Sequence, residues 1–389
     1  MSRSAVCQSV GIPWPTRPLT ELAETFSDGD WIESKDQSPS GVRLVQTGNV
    51  GKGEFKDRGE KARFVSADTF ARLNCTEVFA GDILVSRLPD PVGRACIVPE
   101  SDTRMVTAVD CSVVRFDKRL ILQEFFVYFT QSAAYLSAVA ALCTGTTRSR
   151  ISRSALGRIE IPLPNLDEQK RIVAVLDQAF VVLDRAHANA EASIADANAL
   201  FDAELQRQFG AAGQRAGLLA FDFVCAPLTP RVKLKRQDYL DEGRYPVVSQ
   251  EADLVSGYWN DPAAVIDVDG PAVVFGDHTC CLKYVDFDFV VGADGTKVLQ
   301  PAKGISAKYL YYGLRSQPIQ QTGYARHFKL LRGTVLPDLP TAEQDQITEH
   351  LEQLEARCRE LGSSYETKLA DIAALRQSFL QAAFSGQLS

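Results

Sequence analysis

Two stretches of the chain carry apolar residues at steps of three and four, the spacing that places side chains on one face of an α-helix. The first stripe runs from Ile172 to Leu200, and the second runs from Ile347 to Phe379. Both stripes are narrow and flanked by charged residues, which is typical of the seam of a coiled coil. The predicted seam residues are Ile172, Leu176, Leu183, Ile194, Leu200, Ile347, Leu351, Leu354, Leu361, Leu369, Ile372 and Leu375.

The two stripes belong to an internal repeat. Glu168-Gln169 recurs as Glu343-Gln344, 175 positions later, and the match continues without gaps from 162/337 to 209/384. Each copy has proline just upstream and acids in its first turn, which suits the positive end of a helix dipole. Because a globular stretch separates the copies and must return the chain, we expect the two helices to pair antiparallel within one molecule.

Short β-branched and aromatic runs, broken by Gly, Asp, Asn and Pro, precede each predicted helix and indicate strands and turns. The predicted strands cover 42–45, 83–85, 95–98 and 111–116 in the first half, and 245–248, 263–268, 272–275, 287–291 and 297–299 in the second. A short helical stretch follows in each half, at 123–142 and at 307–316. Each half is therefore a mixed α/β module followed by a long helix.

These patterns predict an α+β chain with a pseudo-twofold internal repeat. Two globular α/β modules are separated and joined by two long helices that form an intramolecular antiparallel coiled coil. The first module is expected over 1–160 and its helix over 161–212; the second module is expected over 213–335 and its helix over 336–389.

Composition is that of a folded protein, with 45% hydrophobic and 23% charged residues in 389 positions. No apolar run resembles a signal peptide or membrane anchor, so we expect a cytoplasmic protein of a bacterium or archaeon that does not contact a membrane. Nine scattered cysteines lack any C-x-x-C spacing, which predicts reduced thiols and no metal site.

The net charge of −7 argues at first against a polyanionic partner. However, 165–213 and 341–389 each hold eight acidic and four basic residues, so the remainder is nearly neutral and contains basic clusters. One cluster precedes the first long helix and supplies Thr146, Arg148, Arg150 and Arg153; the equivalent place in the second half supplies Tyr324, Arg326, His327 and Lys329. Guanidinium and hydroxyl groups in such loops suit DNA phosphates.

Direct reading of bases requires side chains with paired donors and acceptors. Candidates in the first module are Gln46, Thr47, Asn49, Lys52 and Arg87; candidates in the second are Ser249, Gln250, His278, Thr279 and Lys283. The chain has no phosphate-binding loop, no glycine-rich turn suited to S-adenosylmethionine, and no methyltransferase or nuclease signature. It is predicted to bind DNA without catalytic residues or a cofactor of its own.

The chain resembles the specificity (S) subunits of type I restriction-modification enzymes over nearly its whole length. The most specific similarities are Ile161-Pro162-Leu163-Pro164 with Glu168-Gln169, their repeat Leu336-Pro337 with Glu343-Gln344, and the ending from Leu375 to Gly386. The segments Phe275 to Thr279 and Gly292 to Gly295 resemble part of one class of target-recognition domain.

The resemblance implies two target-recognition domains that read the halves of a split double-stranded DNA site. It also implies two methyltransferase (M) subunits that methylate adenine at N6, and restriction (R) subunits in some complexes. S-adenosylmethionine, ATP and Mg would be used by those partners. Two alternatives stay open: a related recognition subunit of another two-subunit restriction-methylation enzyme, and a coiled-coil scaffold for protein interactions.

Overall fold

The structure is a computed structural model, and it describes residues 14–145, 148–321, 323 and 325–388. Contacts between residues divide the chain into two units. The first unit comprises 1–189 and 368–389, and the second comprises 190–367.

The first unit holds the first module. Its strands are β1 (Thr16–Pro18), β2 (Ala23–Asp28), β3 (Gln37–Ser38), β4 (Val42–Val45), β5 (Arg63–Val65), β6 (Glu77–Val78), β7 (Ile83–Ser86), β8 (Ala95–Ile97), β9 (Met105–Thr107), β10 (Cys111–Phe116) and β11 (Glu160–Pro162). Its helices are α1 (Leu19–Leu22), α2 (Ala67–Arg72), α3 (Gln123–Phe129), α4 (Ala133–Leu142), α5 (Arg153–Gly157) and the beginning of α6 (Leu166–Arg215).

The second unit holds the second module. Its strands are β12 (Leu218–Ala220), β13 (Cys225–Leu228), β14 (Tyr245–Val248), β15 (Gly257–Trp259), β16 (Ala272–Gly276), β17 (Leu282–Val285), β18 (Val290–Val291), β19 (Thr296–Pro301) and β20 (Val335–Pro337). Its helices are α7 (Phe221–Val224), α8 (Ala307–Arg315), α9 (Phe328–Leu331) and most of α10 (Thr341–Phe384).

The two modules share the topology of two sheets and differ in a third, which has five strands in the first module (β3-β5-β4-β9-β6) and three in the second (β15-β14-β18). An antiparallel four-stranded sheet has the order β2-β10-β7-β8 in the first module and β13-β19-β16-β17 in the second. A two-stranded sheet lies directly before each long helix, β1 with β11 and β12 with β20. Each module also has a parallel pair, β4 with β9 and β14 with β18. The repeat therefore extends through the modules, where the sequences no longer match.

Alternating side chains explain why each four-stranded sheet is buried on both faces, since successive residues of a strand point to opposite sides. In β7, Ile83 and Val85 join one apolar core whereas Leu84 joins another. In β16, Val273 and Phe275 face one core and Val274 faces another. The continuous apolar runs read from the sequence are thus the central strands of the modules.

The two long helices pair antiparallel, as predicted. In the first unit, the beginning of α6 buries Ile172 and Leu176 in the same core as Leu380 near the end of α10. In the second unit, the end of α6 buries Phe209 in the same core as Leu351 near the beginning of α10. The fold class is therefore confirmed: mixed α and β modules are joined by paired long helices within one chain.

Part of the predicted seam is wrong. Leu200, Leu361 and Leu375 are 58%, 46% and 46% exposed. After Ala197 the buried stripe continues through Phe201, at a step of four, and Leu200 lies about 100° away around the helix. The ring of Phe201 packs against Tyr312 of α8 with ring centroids 6.2 Å apart, so the buried side chain at this turn contacts the second module.

Two local predictions also need correction. The stretch 123–142 is not one helix, because α3 and α4 meet at a bend of 72°. Ser132 causes the break, since its hydroxyl accepts the backbone N–H of Tyr135 at 3.3 Å and begins a new helix. The stretch 263–268 contains no strand: Asp261 instead caps a short 3₁₀ turn over Pro262–Ala264.

No single helix among the described residues has the length and apolar character needed to cross a membrane, although α3 and α4 together meet that criterion as a bent pair.

Candidate nucleic-acid interface

A buried glutamine at the start of α6 fixes the first module to its long helix. The side-chain oxygen of Gln169 accepts the backbone N–H of Leu122 at 2.8 Å, at the residue that caps α3. Its side-chain nitrogen donates to the carbonyls of Leu120 and Pro164, both at 2.9 Å. One amide group therefore satisfies three main-chain groups from two segments of the module.

Gln344 makes the same three contacts in the second unit. Its side-chain oxygen accepts the backbone N–H of Ser306 at 2.9 Å, at the residue that caps α8. Its side-chain nitrogen donates to the carbonyls of Gly304 at 2.8 Å and Leu339 at 2.9 Å. The repeated Glu-Gln pair thus marks the joint by which each long helix holds its module.

The loop that follows β4 carries four of the predicted base-reading residues. Asn49 is buried, and its amide accepts from the backbone of Gln46 at 3.0 Å and donates to the carbonyl of Lys56 at 2.9 Å. Its side chain therefore shapes the loop. Gln46 and Thr47 are half-buried and Lys52 is exposed, so these three present polar groups at the surface.

Arg87, at the end of β7, lies deeper than a base-reading side chain requires. Its guanidinium is buried, donates to the carbonyl of Val109 and lies 3.3 Å from the carboxylate of Asp28. Burial lowers the pKa of Arg87 from its ordinary value. Arg87 thus supports the end of the strand, and the neighbouring residues define the surface.

The two ends of the basic loop before α5 are paired with each other. Thr144 and Arg150 exchange two backbone hydrogen bonds of 2.9 Å, and Arg148 between them is exposed. Arg150 is 3.1 Å from Asp110 and Arg153 is 3.9 Å from Asp28. Arg148 forms no ion pair with any described residue, so among Arg148, Arg150 and Arg153 it has the least neutralised charge.

The two acids in this cluster were missed by sequence reasoning, because Asp28 and Asp110 lie far from the basic loop in the chain. The strand order brings them together, since β2 and β7 both pair with β10. Thr146 lies outside the described residues, so its prediction stays a prediction.

In the second module the structure unites two predicted segments. The side-chain oxygen of Gln250 accepts the backbone N–H of His278 at 3.2 Å, and the hydroxyl of Thr279 donates to the carbonyl of Gln250 at 2.6 Å. The loop after β14 and the turn after β16 thus form one surface. Ser249 is buried beneath it, with its hydroxyl 2.7 Å from that of Ser256.

The basic segment of the second module joins the same turn. His327 is 1% exposed, and its ring Nδ1 and backbone N–H lie 3.0 and 2.8 Å from the carbonyl of Asp277. His327 is therefore a structural contact, whereas Arg326 and Lys329 are exposed beside it. Tyr324 lies outside the described residues and remains a prediction.

A buried cationic side chain lies beneath the candidate reading loops of each module. Arg94, which no sequence pattern singled out, lies under the loops at 47–50 and 88–91 of the first module. Lys283, predicted as a base-reading residue, is 6% exposed and lies under the loop at 249–253 of the second. Its ammonium points into the protein, so the structure does not present it to a DNA groove.

Comparison with known proteins agrees with this architecture. Residues 12–191 match the family described as type I restriction modification DNA specificity domain. The type I restriction enzyme EcoKI specificity subunit of Escherichia coli K12 is 35% identical over 81 residues, which cover 21% of this chain but only 17% of that relative.

Broader similarities cover more of the chain. The StySPI specificity subunit of Salmonella potsdam is 26% identical over 324 residues, covering 72% of this chain and 68% of that protein. A chain solved in work on complex assembly and conformational transition of the type I R-M system superposes with a TM-score of 0.74 at 17% identity, covering 95% of this chain and 97% of that one. The comparisons thus show a chain that is similar to type I restriction enzyme specificity subunits, with residues 12–191 matching the DNA specificity domain of that family.

Proposed function

We propose that this chain is the DNA-specificity subunit of a type I restriction-modification complex. Each module reads one half of a split double-stranded DNA site, and the paired long helices join the two readers. The observation that carries the proposal is the duplicated joint, in which Gln169 and Gln344 attach two modules with matching four-stranded sheets to two long helices in the same way.

The surfaces of the modules suit this role. Phosphate contacts position a protein on the duplex, and base edges supply the sequence information. In the first module Arg148 offers an exposed guanidinium for phosphate, while Gln46 and Thr47 offer donors and acceptors for bases. In the second module Arg326 and Lys329 serve the phosphates, and Gln250, His278 and Thr279 form the adjoining polar surface.

The chemistry belongs to partner subunits in this proposal. Two M subunits bind the chain and transfer a methyl group from S-adenosylmethionine to adenine N6, and R subunits use ATP and Mg for cleavage. A base within the duplex must leave the stack before its exocyclic nitrogen can react, and this requires a pocket in the methyltransferase. The specificity subunit supplies the choice of site and no catalytic group.

The test is to co-express the chain with the methyltransferase encoded beside it and to map modified adenines across the genome by single-molecule sequencing. The proposal predicts a motif of two short half-sites separated by a gap of fixed length. A continuous motif would favour a different enzyme partner. Absence of any methylation that depends on this chain would favour a scaffold function.

A further inference from the structure

Each module contains a buried cation whose hydrogen-bond acceptors are all main-chain carbonyls. In the first module this is Arg94, which is 8% exposed. Its Nε donates to Val50 at 2.7 Å and one terminal nitrogen donates to Thr47 at 2.8 Å. The other terminal nitrogen donates to the carbonyls of Leu88 at 2.9 Å, Pro89 at 2.6 Å and Pro91 at 3.0 Å.

Arg94 thereby connects two loops that the strands alone leave separate. One is the loop after β4 that carries Gln46 and Thr47, and the other is the turn after β7 that follows Arg87. No carboxylate among the described residues lies within ion-pair distance of Arg94. The guanidinium is therefore held by the shape of the loops, and it holds that shape in return.

Lys283 has the matching position in the second module. It lies on β17, which is the edge strand of the four-stranded sheet as β8 is in the first module, and Arg94 directly precedes β8. Its ammonium donates to the carbonyl of Ser249 at 2.9 Å and to that of Asp253. These carbonyls bracket Gln250 in the loop after β14, which is the counterpart of the loop after β4.

The energetics favour a role beyond simple packing. A buried charge without an ionised partner is costly, and an apolar residue of similar volume often replaces one without loss of stability when its partners change as well. Charge-assisted hydrogen bonds to carbonyls are stronger and more directional than neutral ones. A cation whose hydrogen bonds all go to loop carbonyls therefore fixes the conformation of the loop it binds more than it fixes the sheet beneath.

We propose that Arg94 and Lys283 are positioning residues for DNA recognition, each of which sets the conformation of the reading loop in its own module. Neither side chain contacts a base. Each governs the preference for only one half of the split site. The inference rests on the proposed function, since it assumes that each module reads one half-site.

The experiment uses the full complex. The methylated motif is mapped for the wild-type chain and for Arg94→Met and Lys283→Met, which retain much of the side-chain volume but remove every donor. In Arg94→Met we expect methylation at sites with a wrong base in one half-site to rise by roughly tenfold relative to correct sites. The base preference of the other half-site and the length of the gap should be unchanged. Lys283→Met should relax the base preference in the other half-site and leave the half-site affected by Arg94→Met unchanged.

Two further variants separate positioning from loss of stability. Val114→Ala and Val285→Ala remove buried side chains from the four-stranded sheets of the first and second modules, and neither side chain hydrogen-bonds to a reading loop. They should lower the melting temperature of the complex and leave the motif intact. Arg94→Lys and Lys283→Arg keep the charge, and they should retain more of the half-site preference than the Met variants do; they also provide the test if a Met variant fails to assemble.

The inference is overturned if the Met and conservative variants lower total methylation with an unaltered motif. It is also overturned if substitution of either residue alone changes the base preference in both half-sites. A wild-type chain that yields no split motif would instead overturn the proposed function, so the two failures can be distinguished.

Discussion

Replacing Gln169 by leucine should release the first module from its long helix. The change leaves the buried backbone N–H of Leu122 without an acceptor and two carbonyls without a donor. Since an unsatisfied buried polar group costs roughly 1–3 kcal/mol and carbonyls are the more easily re-satisfied, we expect a loss of about 2–5 kcal/mol. At a few degrees per kcal/mol, the unfolding transition of the first unit should fall by about 5–15 °C.

The assay must resolve the two units, because a chain with two units does not guarantee a single two-state transition. Calorimetry combined with hydrogen exchange by mass spectrometry meets this need. Exchange should accelerate in peptides covering the beginning of α3, where the Leu122 amide loses its acceptor, and peptides of the second unit should be unaffected. Gln344→Leu should produce the reverse pattern, with faster exchange at the beginning of α8.

Lys170→Ala is the matched control. Lys170 is the next residue of the helix, and its exposed ion pair with Asp167 spans 3.3 Å. Exposed pairs of this kind contribute below about 1 kcal/mol. If Gln169→Leu destabilised the first unit no more than this control does, the argument that the repeated glutamine holds the module would be refuted.

Three further predictions concern the surface, the acidity and the seam. Arg148→Ala should weaken binding to all DNA sequences and reduce the slope of log affinity against log salt by about 0.9; a loss confined to one sequence contradicts a phosphate contact. The hydrogen bond from Arg207 is the main cause that lowers the pKa of Glu204 to about 2. The stability that ionised Glu204 contributes to the folded chain is therefore fully present above a pH of about 4.5 and is lost as the pH falls towards 2. Urea unfolding at pH 5 and pH 3 should therefore show a smaller acid loss for Glu204→Gln, and equal losses would contradict this linkage. Leu351→Ala should cost about 2–5 kcal/mol and Leu361→Ala below about 0.5, and similar costs would contradict the observed seam.

The sequence predicted the long helices well because their signal is local and repeated. A stripe of apolar residues at steps of three and four can be recognised without knowledge of distant contacts, and its recurrence 175 positions later supports the same prediction a second time. The choice between Leu200 and Phe201 was different. Both lie at acceptable steps from Ala197, and packing against Tyr312, which is distant in sequence, favours burial of Phe201.

The candidate interface was predictable only in part. Loops rich in hydroxyl and guanidinium groups mark polar surface, and this correctly located exposed residues such as Arg148 and Arg326. Burial of a polar side chain depends on carbonyls that are distant in sequence, as with Lys283 and Ser249, which lie 34 positions apart. No pattern of residue types distinguishes a lysine that reaches a groove from one that turns inward to organise a loop.

The two modules differ in sequence where they agree in architecture, and this difference has a physical reason. The joints to the long helices are alike because both must hold a helix start against the same arrangement of main-chain groups, and a glutamine side chain provides one acceptor and two donors for it. A buried cation that binds carbonyls constrains the path of a loop without dictating the side chains on its outer surface, since every residue type has a carbonyl. Arg94 reaches two loops with five hydrogen bonds, whereas Lys283 reaches one loop with two, so the same architecture supports reading surfaces of different shape.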